Sequence, residues 1–325
     1  MQAANKGKAP LGVIFDCAFG HRADDPLALA LLFHADSKNE ARILSLSLST
    51  AELNAAAACA ALSRFYRQTP ERDPFPIGLY LSARLKAETP MAVALTAKRN
   101  ADGKPAYPHG IQKRHDTADP LPLMRNALAS QPDQSLVVVI TGPATNAARL
   151  LRHPGAKALL AQKAKLLVVA ASYTLDEQTA PTEVVLRADG AAAQTLFAEW
   201  PTPIVAVTTE AGARIRFPAA SIEKDFAWQA GHPVAEAYRA FQPMPYDART
   251  DALAATLFAL KPDAEFFSLS GPGTIRAQAD GRTTFQPDPT GQHRYLTVAE
   301  AKKEELLAAY VQMTSAQLPP LPGRR

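Results

Sequence analysis

The chain has 325 residues, of which 47% are hydrophobic, and a formal net charge of +4 at pH 7. This length and apolar content are sufficient for one large domain with a sizeable buried core. Lysine and arginine are scattered, and the longest apolar runs are only as long as a strand, so the sequence argues against both nucleic-acid binding and a membrane span.

Residues 1–10 contain no apolar segment of the kind that a secretory leader needs, so the sequence does not predict a signal peptide. The protein is expected to be soluble, its compartment stays open, and an exported mature form is one alternative. Cys17 and Cys59 have no metal-ligand spacing and are expected to be buried free thiols. We expect disordered segments over 1–10 and 316–325, with a single domain over 11–315 between them.

Six apolar runs have the length and composition of buried strands. They cover residues 12–15, 43–48, 75–79, 136–140, 166–171 and 203–207. Helical stretches over 51–66, 120–129, from 142 onward and 188–199 separate most of them. This alternation predicts an α/β fold, an open and mostly parallel sheet that helices cover on both faces. In such a sheet, ligands bind at the carboxyl ends of the strands.

The remaining segments differ in character from this strand and helix alternation. Residues 82–119 are polar, with several prolines and glycines, and predict a long loop near the site entrance. Beyond residue 200, helices are predicted over 233–241 and 251–260. Small antiparallel strands separated by Gly and Asp turns are predicted over 266–269, 274–277, 282–285 and 294–297.

The segment VIFDCAFGHRADDPLALALL, residues 13–32, contains the first candidate site. Asp16 ends the first strand, and Asp24 and Asp25 precede a helix that has Pro26 in its first turn. Carboxylates at the end of a strand can bind a hard cation through their oxygens. The simpler alternative is that Asp24 caps the helix, because Asp at the N-cap and Pro at N1 are both favoured. Capping explains only one of the three acids.

Several motifs occur in an order that resembles one family. Three of them are the acid loop, the TGPATN of residues 141–146, and the FY of 65–66 followed by the PIG of 76–78. Further matches are the AD of 188–189, the AA of 192–193, the WPTP of 200–203 and the EAG of 210–212. Over nearly its whole length the chain resembles the nucleoside hydrolase superfamily, the inosine- and uridine-preferring N-ribohydrolases, in the branch with the longer motif D-x-D-x-G-N-D-x-D-D.

The resemblance implies a nucleoside hydrolase-like fold and hydrolysis of N-glycosidic bonds in ribonucleosides. In this family a calcium ion binds the ribose hydroxyls and the attacking water, which suits an oxocarbenium-like transition state. The implied calcium ligands are Asp25, Asp251 and the carbonyl oxygen of Thr141. Asp24 and Glu183 are implied to contact the sugar, and Asp16 is implied to orient the metal site. No organic cofactor is implied.

Four residues depart from the family pattern. Ala18 stands where the family has the aspartate that both binds calcium and acts as general base. Val185 replaces an asparagine that contacts ribose, and His21 and Arg22 replace an asparagine and an aspartate of the loop. His21 is the candidate substitute base, since imidazole titrates near neutrality, with a solvated loop histidine as the alternative. Arg22 is expected to pair with the acids in place of calcium, or to bind an anionic ligand.

Two further residues are candidate ligand contacts. Trp228 is a candidate for stacking on a base, and packing of its ring is the alternative. His109, in a Pro-His-Gly turn, resembles a histidine found near the site in the family, and turn chemistry explains it equally well.

The sequence therefore supports two functional hypotheses. The first is hydrolysis of an N-glycosidic bond in a ribonucleoside or related glycosyl compound by a non-standard or weakened site, at which calcium is a possible cofactor. The second is a non-catalytic binding protein on the same fold, with Arg22 in the metal position. In both cases the expected partner is a small nucleoside or sugar-like ligand, neither nucleic acid nor membrane is an expected partner, and the resemblance suggests a homo-oligomer.

Overall fold

The apolar runs form a parallel sheet with bounds close to those predicted. The computed structural model describes residues 9–67, 76–85, 87–170 and 187–318. The strands are β1 (Leu11–Cys17), β2 (Ala41–Leu48), β3 (Ile77–Leu79), β4 (Leu136–Ile140), β5 (Ala164–Val169) and β6 (Ile204–Val207). They lie in the order β3-β2-β1-β4-β5-β6, each parallel to its neighbours. The winding reverses between β1 and β4, which is where open α/β sheets bind ligands.

Helices cover both faces of this sheet. They are α1 (Asp25–Ser37), α2 (Leu53–Arg67), α3 (Pro90–Ala97), α4 (Pro120–Ala129), α5 (Thr145–Arg152), α6 (Ala156–Lys163), α7 (Gly190–Glu199), α8 (Thr209–Arg214), α9 (Ala219–Lys224), α10 (Pro233–Phe241), α11 (Asp251–Leu260) and α12 (Lys303–Ser315). Alternate residues of β1 belong to separate hydrophobic clusters, Val13 and Phe15 to one and Ile14 to the other. Burial on both faces explains why the strands are continuously apolar. The predicted α/β fold is confirmed.

The strands predicted after residue 262 are present, and they extend the main sheet. They are β9 (Ser268–Leu269), β10 (Gly273–Ala277), β11 (Thr283–Pro287) and β12 (His293–Thr297). Strand β10 is antiparallel to both β11 and β12, and β9 is antiparallel to β12. Strand β12 is also parallel to β6, so it joins the main sheet directly. The antiparallel set is therefore continuous with the parallel one.

Helices α3 and α12 are among those that were not predicted from the sequence. Helix α3 lies within the polar segment 82–119, so the prediction of a continuous loop there is wrong, and its Met91 and Leu95 are fully buried. Helix α12 packs against α1 and buries Leu306 and Tyr310. Neither helix separates its apolar and polar residues cleanly onto two faces, so the periodic signal is weak in both.

A second, two-stranded sheet and the C-terminal tail complete the described chain. Strands β7 (Arg216–Phe217) and β8 (Ala248–Arg249) pair antiparallel. Leu318, in the tail that was expected to be disordered, is buried against the core, and residues 319–325 lie outside the described part. Within the described ranges, no helix combines the length and the apolar character that crossing a membrane requires.

Candidate functional site

Asp16, the penultimate residue of β1, is completely buried and is held by two side chains. Ser49, just after β2, donates its hydroxyl to one carboxylate oxygen at 2.8 Å. Asn146, in the first turn of α5, donates its amide to the other at 3.0 Å. Burial raises the pKa of Asp16 to about 7, and the two hydrogen bonds oppose this effect. Side chains from three segments therefore meet at this acid.

The loop after β4 packs tightly against the end of β1. The backbone N–H groups of Thr141 and Gly142 donate to the carbonyl oxygen of Asp16 at 2.8 and 3.4 Å. A Cβ atom at Gly142 would lie 2.6 Å from the carbonyl carbon of Cys17, so only glycine fits there. Thr141 is buried, and its Oγ1 has no hydrogen-bond partner among the described residues. This close approach explains the glycine of the TGPATN motif.

Asp24 joins the starts of two helices. It precedes α1, but its side chain makes no capping hydrogen bond to that helix, so the capping alternative is wrong. Its Oδ2 instead accepts from the backbone N–H of Leu253 at 2.9 Å, in the first turn of α11. Burial, with the charges of Asp251 and Asp25, raises the pKa of Asp24 to about 8. Asp24 thus satisfies an N–H that the α11 backbone cannot pair internally.

Asp25 is held by the backbone of its own loop. Its Oδ2 accepts from the N–H groups of Gly20 at 2.8 Å and Arg22 at 3.0 Å. Burial raises the pKa of Asp25 to about 7, opposed by these hydrogen bonds and by the charge of Arg22. Gly20 has a φ of +92°, and a Cβ atom there would clash with Thr89 Oγ1. The loop conformation that binds Asp25 therefore requires glycine at this position.

Two arginines contact Asp251, the first residue of α11. Arg249 donates Nε and Nη2 to the two carboxylate oxygens at 3.0 and 2.8 Å, which is a bidentate pair. Arg22 places Nη1 at 3.7 Å from the same carboxylate and donates Nη2 to the carbonyl of Ala170 at 3.0 Å. A Cβ atom at Gly212 would clash with Asp251 Oδ1, so the backbone of α8 packs directly on this carboxylate. The carboxylate is enclosed by cations and backbone.

Ala18 and His21 lie in the same loop as Asp25. Ala18 is 2% exposed and presents only a methyl group where the resemblance implies an acid. His21 is half-buried, and its Nε2 has no hydrogen-bond partner in the described part of the chain. Burial, together with the charge of Arg22, lowers the pKa of His21. The imidazole is therefore neutral near pH 7 and keeps a nitrogen that can accept a proton.

Trp228 makes its ring and hydrogen-bond contacts outside the acid loop and the start of α11. Trp228 packs with its ring centre 6.0 Å from that of Phe65, and its Nε1 donates to a carbonyl at the end of α12 at 2.8 Å. Phe65 lies in the last turns of α2, and these contacts fit the packing alternative for Trp228, whereas stacking on a base stays a prediction. His109 is half-buried in the loop between α3 and α4, and its role stays a prediction. Glu183 and Val185 lie outside the described residues.

The residues present do not fit a calcium ion, which takes about six to eight oxygen ligands. Both oxygens of Asp251 bind Arg249, and one oxygen of Asp25 binds two N–H groups. Arg22, at 3.7 Å from Asp251, would repel a divalent ion at the carboxylate they would share. Of the residues that the structure describes, no three His, Cys, Asp or Glu side chains are arranged around one metal position. Arginine and backbone N–H groups stabilise these carboxylates instead.

Three residues of the site were not predicted from the sequence. Ser49 and Asn146 hold Asp16, and Arg249 holds Asp251. The available signal for Asn146 was its place in the TGPATN motif. Ser49 and Arg249 carry no such signal, because a serine after a strand and an arginine before a helix are common.

The fold has solved relatives. The plant nucleoside hydrolase PpNRh1 matches with a TM-score of 0.69 over 95% of this chain and 100% of its own, at 18% identity. The inosine-uridine preferring nucleoside hydrolase of Bacillus anthracis matches with a TM-score of 0.65 over 93% and 99%, at 17% identity. The type III effector protein XopQ, solved with adenosine diphosphate ribose, matches with 0.63 over 95% and 94%, at 16% identity. Likeness at these identities shows the fold.

Sequence comparison extends this result to the family. No curated protein is significantly similar to the chain in sequence. The family model described as inosine-uridine preferring nucleoside hydrolase matches residues 13–309. This range includes the acid loop, the TGPATN loop and the start of α11, which together form the site described above. The chain therefore belongs to the inosine-uridine preferring nucleoside hydrolase family.

Proposed function

We propose that this protein binds a ribonucleoside or a related ribosyl compound, and that its hydrolysis of the N-glycosidic bond is weak or lost. The observation that carries this proposal is the buried methyl group of Ala18 in a loop that retains Asp24 and Asp25. The acids keep oxygens that accept hydrogen bonds from sugar hydroxyls, whereas the residue that would take a proton from water is missing. Loss of a general base typically costs about 10²- to 10⁴-fold in rate.

The environment of Asp24 supports the binding part of the proposal. Leu253 engages Oδ2, and Oδ1 stays available to a ligand hydroxyl within the described part of the chain. A hydrogen bond to a buried carboxylate is strong because water competes poorly for it. The ligand class is also consistent with the relatives, since nucleosides and the adenosine diphosphate ribose bound to XopQ both present a ribosyl group.

Calorimetric titration with inosine, uridine and ribose tests the binding. We expect wild-type protein to bind at least one of them at pH 9, above the pKa of Asp24 at about 8. Asp24→Asn should weaken binding by about tenfold or more, because a charged acceptor is lost. Asp133→Asn is the matched control, since Asp133 pairs with Lys163 at the surface. Binding of none of these compounds, or equal binding by Asp24→Asn and wild type, would contradict the proposal.

Weak hydrolysis is the second candidate function, and the neutral imidazole of His21 favours it. Its Nε2 can accept the proton of an attacking water at neutral pH. Release of ribose from inosine by wild type and His21→Asn separates the two candidates. A rate no higher than the uncatalysed one in wild type makes the protein a binding protein. A measurable rate that His21→Asn abolishes makes it a weakened hydrolase with a substitute base.

A further inference from the structure

Arg249 is fixed in place by the backbone around it. It ends β8, and the next residue, Thr250, donates its N–H to the carbonyl of Gly212 at 2.9 Å. The hydroxyl of Thr250 donates to the carbonyl of Ile215 at 2.8 Å. These two bonds tie the residue between Arg249 and Asp251 to α8 and to the residue that follows it. The guanidinium of Arg249 is thereby held where it can bind both oxygens of Asp251.

Arg22 supplies a second guanidinium to the same carboxylate. Its side chain is 10% exposed, that of Asp251 is 7% exposed, and Nη1 lies 3.7 Å from Oδ2. The backbone N–H of Arg22 also binds Asp25, so this residue connects two acids of the site. A guanidinium does not lose its proton in a protein. Arg22 and Arg249 therefore bring two positive charges to the site, as a calcium ion would.

The two arginines meet a group of acids that would otherwise repel one another. Asp24 directly precedes Asp25, whose Oδ2 accepts from the backbone N–H of Arg22 at 3.0 Å. Oδ2 of Asp24 accepts from the N–H of Leu253, two residues after Asp251, so the three acids lie around the start of α11. Like-charged carboxylates in one site require a compensating cation to stay ionised together. In this chain that cation is arginine.

We propose that the guanidinium groups of Arg22 and Arg249 together take the place of the divalent metal at this site, and that Arg249 makes the larger contribution. Arg249 binds both oxygens of Asp251, whereas Arg22 approaches one of them from a longer distance. The proposal rests on the proposed function only in that both use the same acid cluster. It implies that acids restored to the loop do not restore calcium binding unless Arg249 is replaced as well.

Calcium titration by calorimetry tests this inference with nested variants. Ala18→Asp combined with Arg22→Asp adds two acids to the loop, and Arg249→Gln then frees the oxygens of Asp251. We expect the triple variant to bind calcium about tenfold or more tightly than the double variant. Wild-type protein should show no calcium binding up to about 1 mM.

The matched control replaces Arg239→Gln in the double variant. Arg239 forms the same bidentate pair with Glu223, at 3.0 and 2.8 Å, on the surface of α10. The control variant loses an equivalent cation and an equivalent ion pair away from the site. We expect it to bind calcium with the same affinity as the double variant. Equal affinity of the double and triple variants would overturn the role of Arg249. A dissociation constant for calcium below about 1 mM in wild-type protein would overturn the proposal that arginine takes the place of the metal.

A second measurement covers the case in which the triple variant does not fold. Arg22→Gln with Arg249→Gln removes both charges without adding acids, and excess calcium should raise its melting temperature while that of wild type stays constant. An equal response of the two proteins to calcium would count against the inference. Inosine titration of wild type is run in parallel, because a failure to bind inosine contradicts the proposed function and leaves the calcium result intact.

Discussion

Glu52 is a buried acid that the proposed function leaves unused. One of its oxygens accepts from the N–H of Thr89 at 3.2 Å, and the other has no hydrogen-bond partner among the described residues. Glu52 is 7% exposed, and burial raises its pKa to about 7, with a smaller contribution from the charge of Glu88. A buried carboxyl with an unsatisfied oxygen costs stability when it ionises.

We expect Glu52→Gln to stabilise the protein above pH 7. The pKa of Glu52 rises from 4.5 to about 7 on folding, so the folded state holds a proton that the unfolded state releases in this window. Wild-type stability therefore falls as pH rises from 4.5 to about 7. Denaturant unfolding at pH 8 should show Glu52→Gln more stable by about 1–3 kcal/mol, and the difference should disappear near pH 4.

The control for this substitution is Glu88→Gln, which neutralises an exposed neighbour and should change stability much less. Glutamine at position 52 keeps the oxygen that accepts from Thr89, so the hydrogen bond itself is conserved. An advantage of Glu52→Gln that is the same at pH 4 and pH 8 would mean that ionisation is not the cause.

The acids of the site could be predicted, but their partners could not. Asp16, Asp24 and Asp25 stand out in the sequence because they lie at the end of a predicted strand and at the start of the helix that follows it. The partner of Asp24 is the backbone N–H of Leu253, a group that nearly every residue has. The alternative that Asp24 caps its own helix is wrong for this reason, since geometry and not residue type selects the helix that it caps.

Helices α5 and α7 share one carboxylate. Asp189 accepts from the N–H of Ala192 through Oδ1 at 3.3 Å, which caps α7. Through Oδ2 it accepts from the hydroxyl of Thr145, the first residue of α5, at 2.9 Å. The next residue of α5 is Asn146, which binds Asp16. The cap of one helix therefore helps to place a residue of the site on another.

Asp189→Ala should destabilise the protein by about 1–2 kcal/mol, because loss of an N-cap typically costs this much. Asp189→Ser keeps a capping oxygen for α7 but has no second oxygen for Thr145, so it should retain part of the lost stability. Denaturant unfolding compares the three proteins. If serine and alanine destabilise the protein equally, the cap contributes little, and the hydrogen bond to Thr145 makes the main contribution of Asp189 to stability.

Helices and strands could be predicted where the sequence pattern that identifies them lies within the element itself. The bounds of β4 and α4 agree with the sequence prediction, since β4 is a continuous apolar run and α4 begins at Pro120 with Asp119 as its cap. Strand β12 was recognised as a strand, but its parallel pairing with β6 depends on how the whole sheet is assembled. Helix α3 was missed because its apolar residues are spread around the helix.

For the whole molecule, buried acids govern how stability depends on pH. The pKa values of Asp16, Asp24 and Asp25 rise from 3.8 to about 7, 8 and 7. Between pH 3.8 and these raised pKa values, the folded protein keeps protons that the unfolded chain releases. The free energy of unfolding therefore falls as the pH rises through this range. Burial lowers the pKa of His232 from 6.5 to about 3, which costs stability only on the acid side of 6.5.

In buffer with EDTA, we expect the denaturant midpoint to be higher near pH 6.5 than at pH 9, because His232 is neutral and the acids still hold protons at the lower value. The measurement is a series of unfolding curves followed by circular dichroism. A midpoint that rises with pH from 6.5 to 9 would mean that folding does not raise the pKa of these acids.

The hydrogen bond between Asp24 and Leu253 connects residues that are 229 positions apart. A ribosome adds about 5 to 20 residues per second, so the two partners are synthesised roughly 10 to 50 s apart. For most of that interval the acid loop is outside the ribosome with Arg22 but without Arg249 or the start of α11. Its carboxylates are then without these partners, and the site takes shape only when the last quarter of the chain has been synthesised. Ligand binding by a nascent chain would therefore report that translation has passed α11.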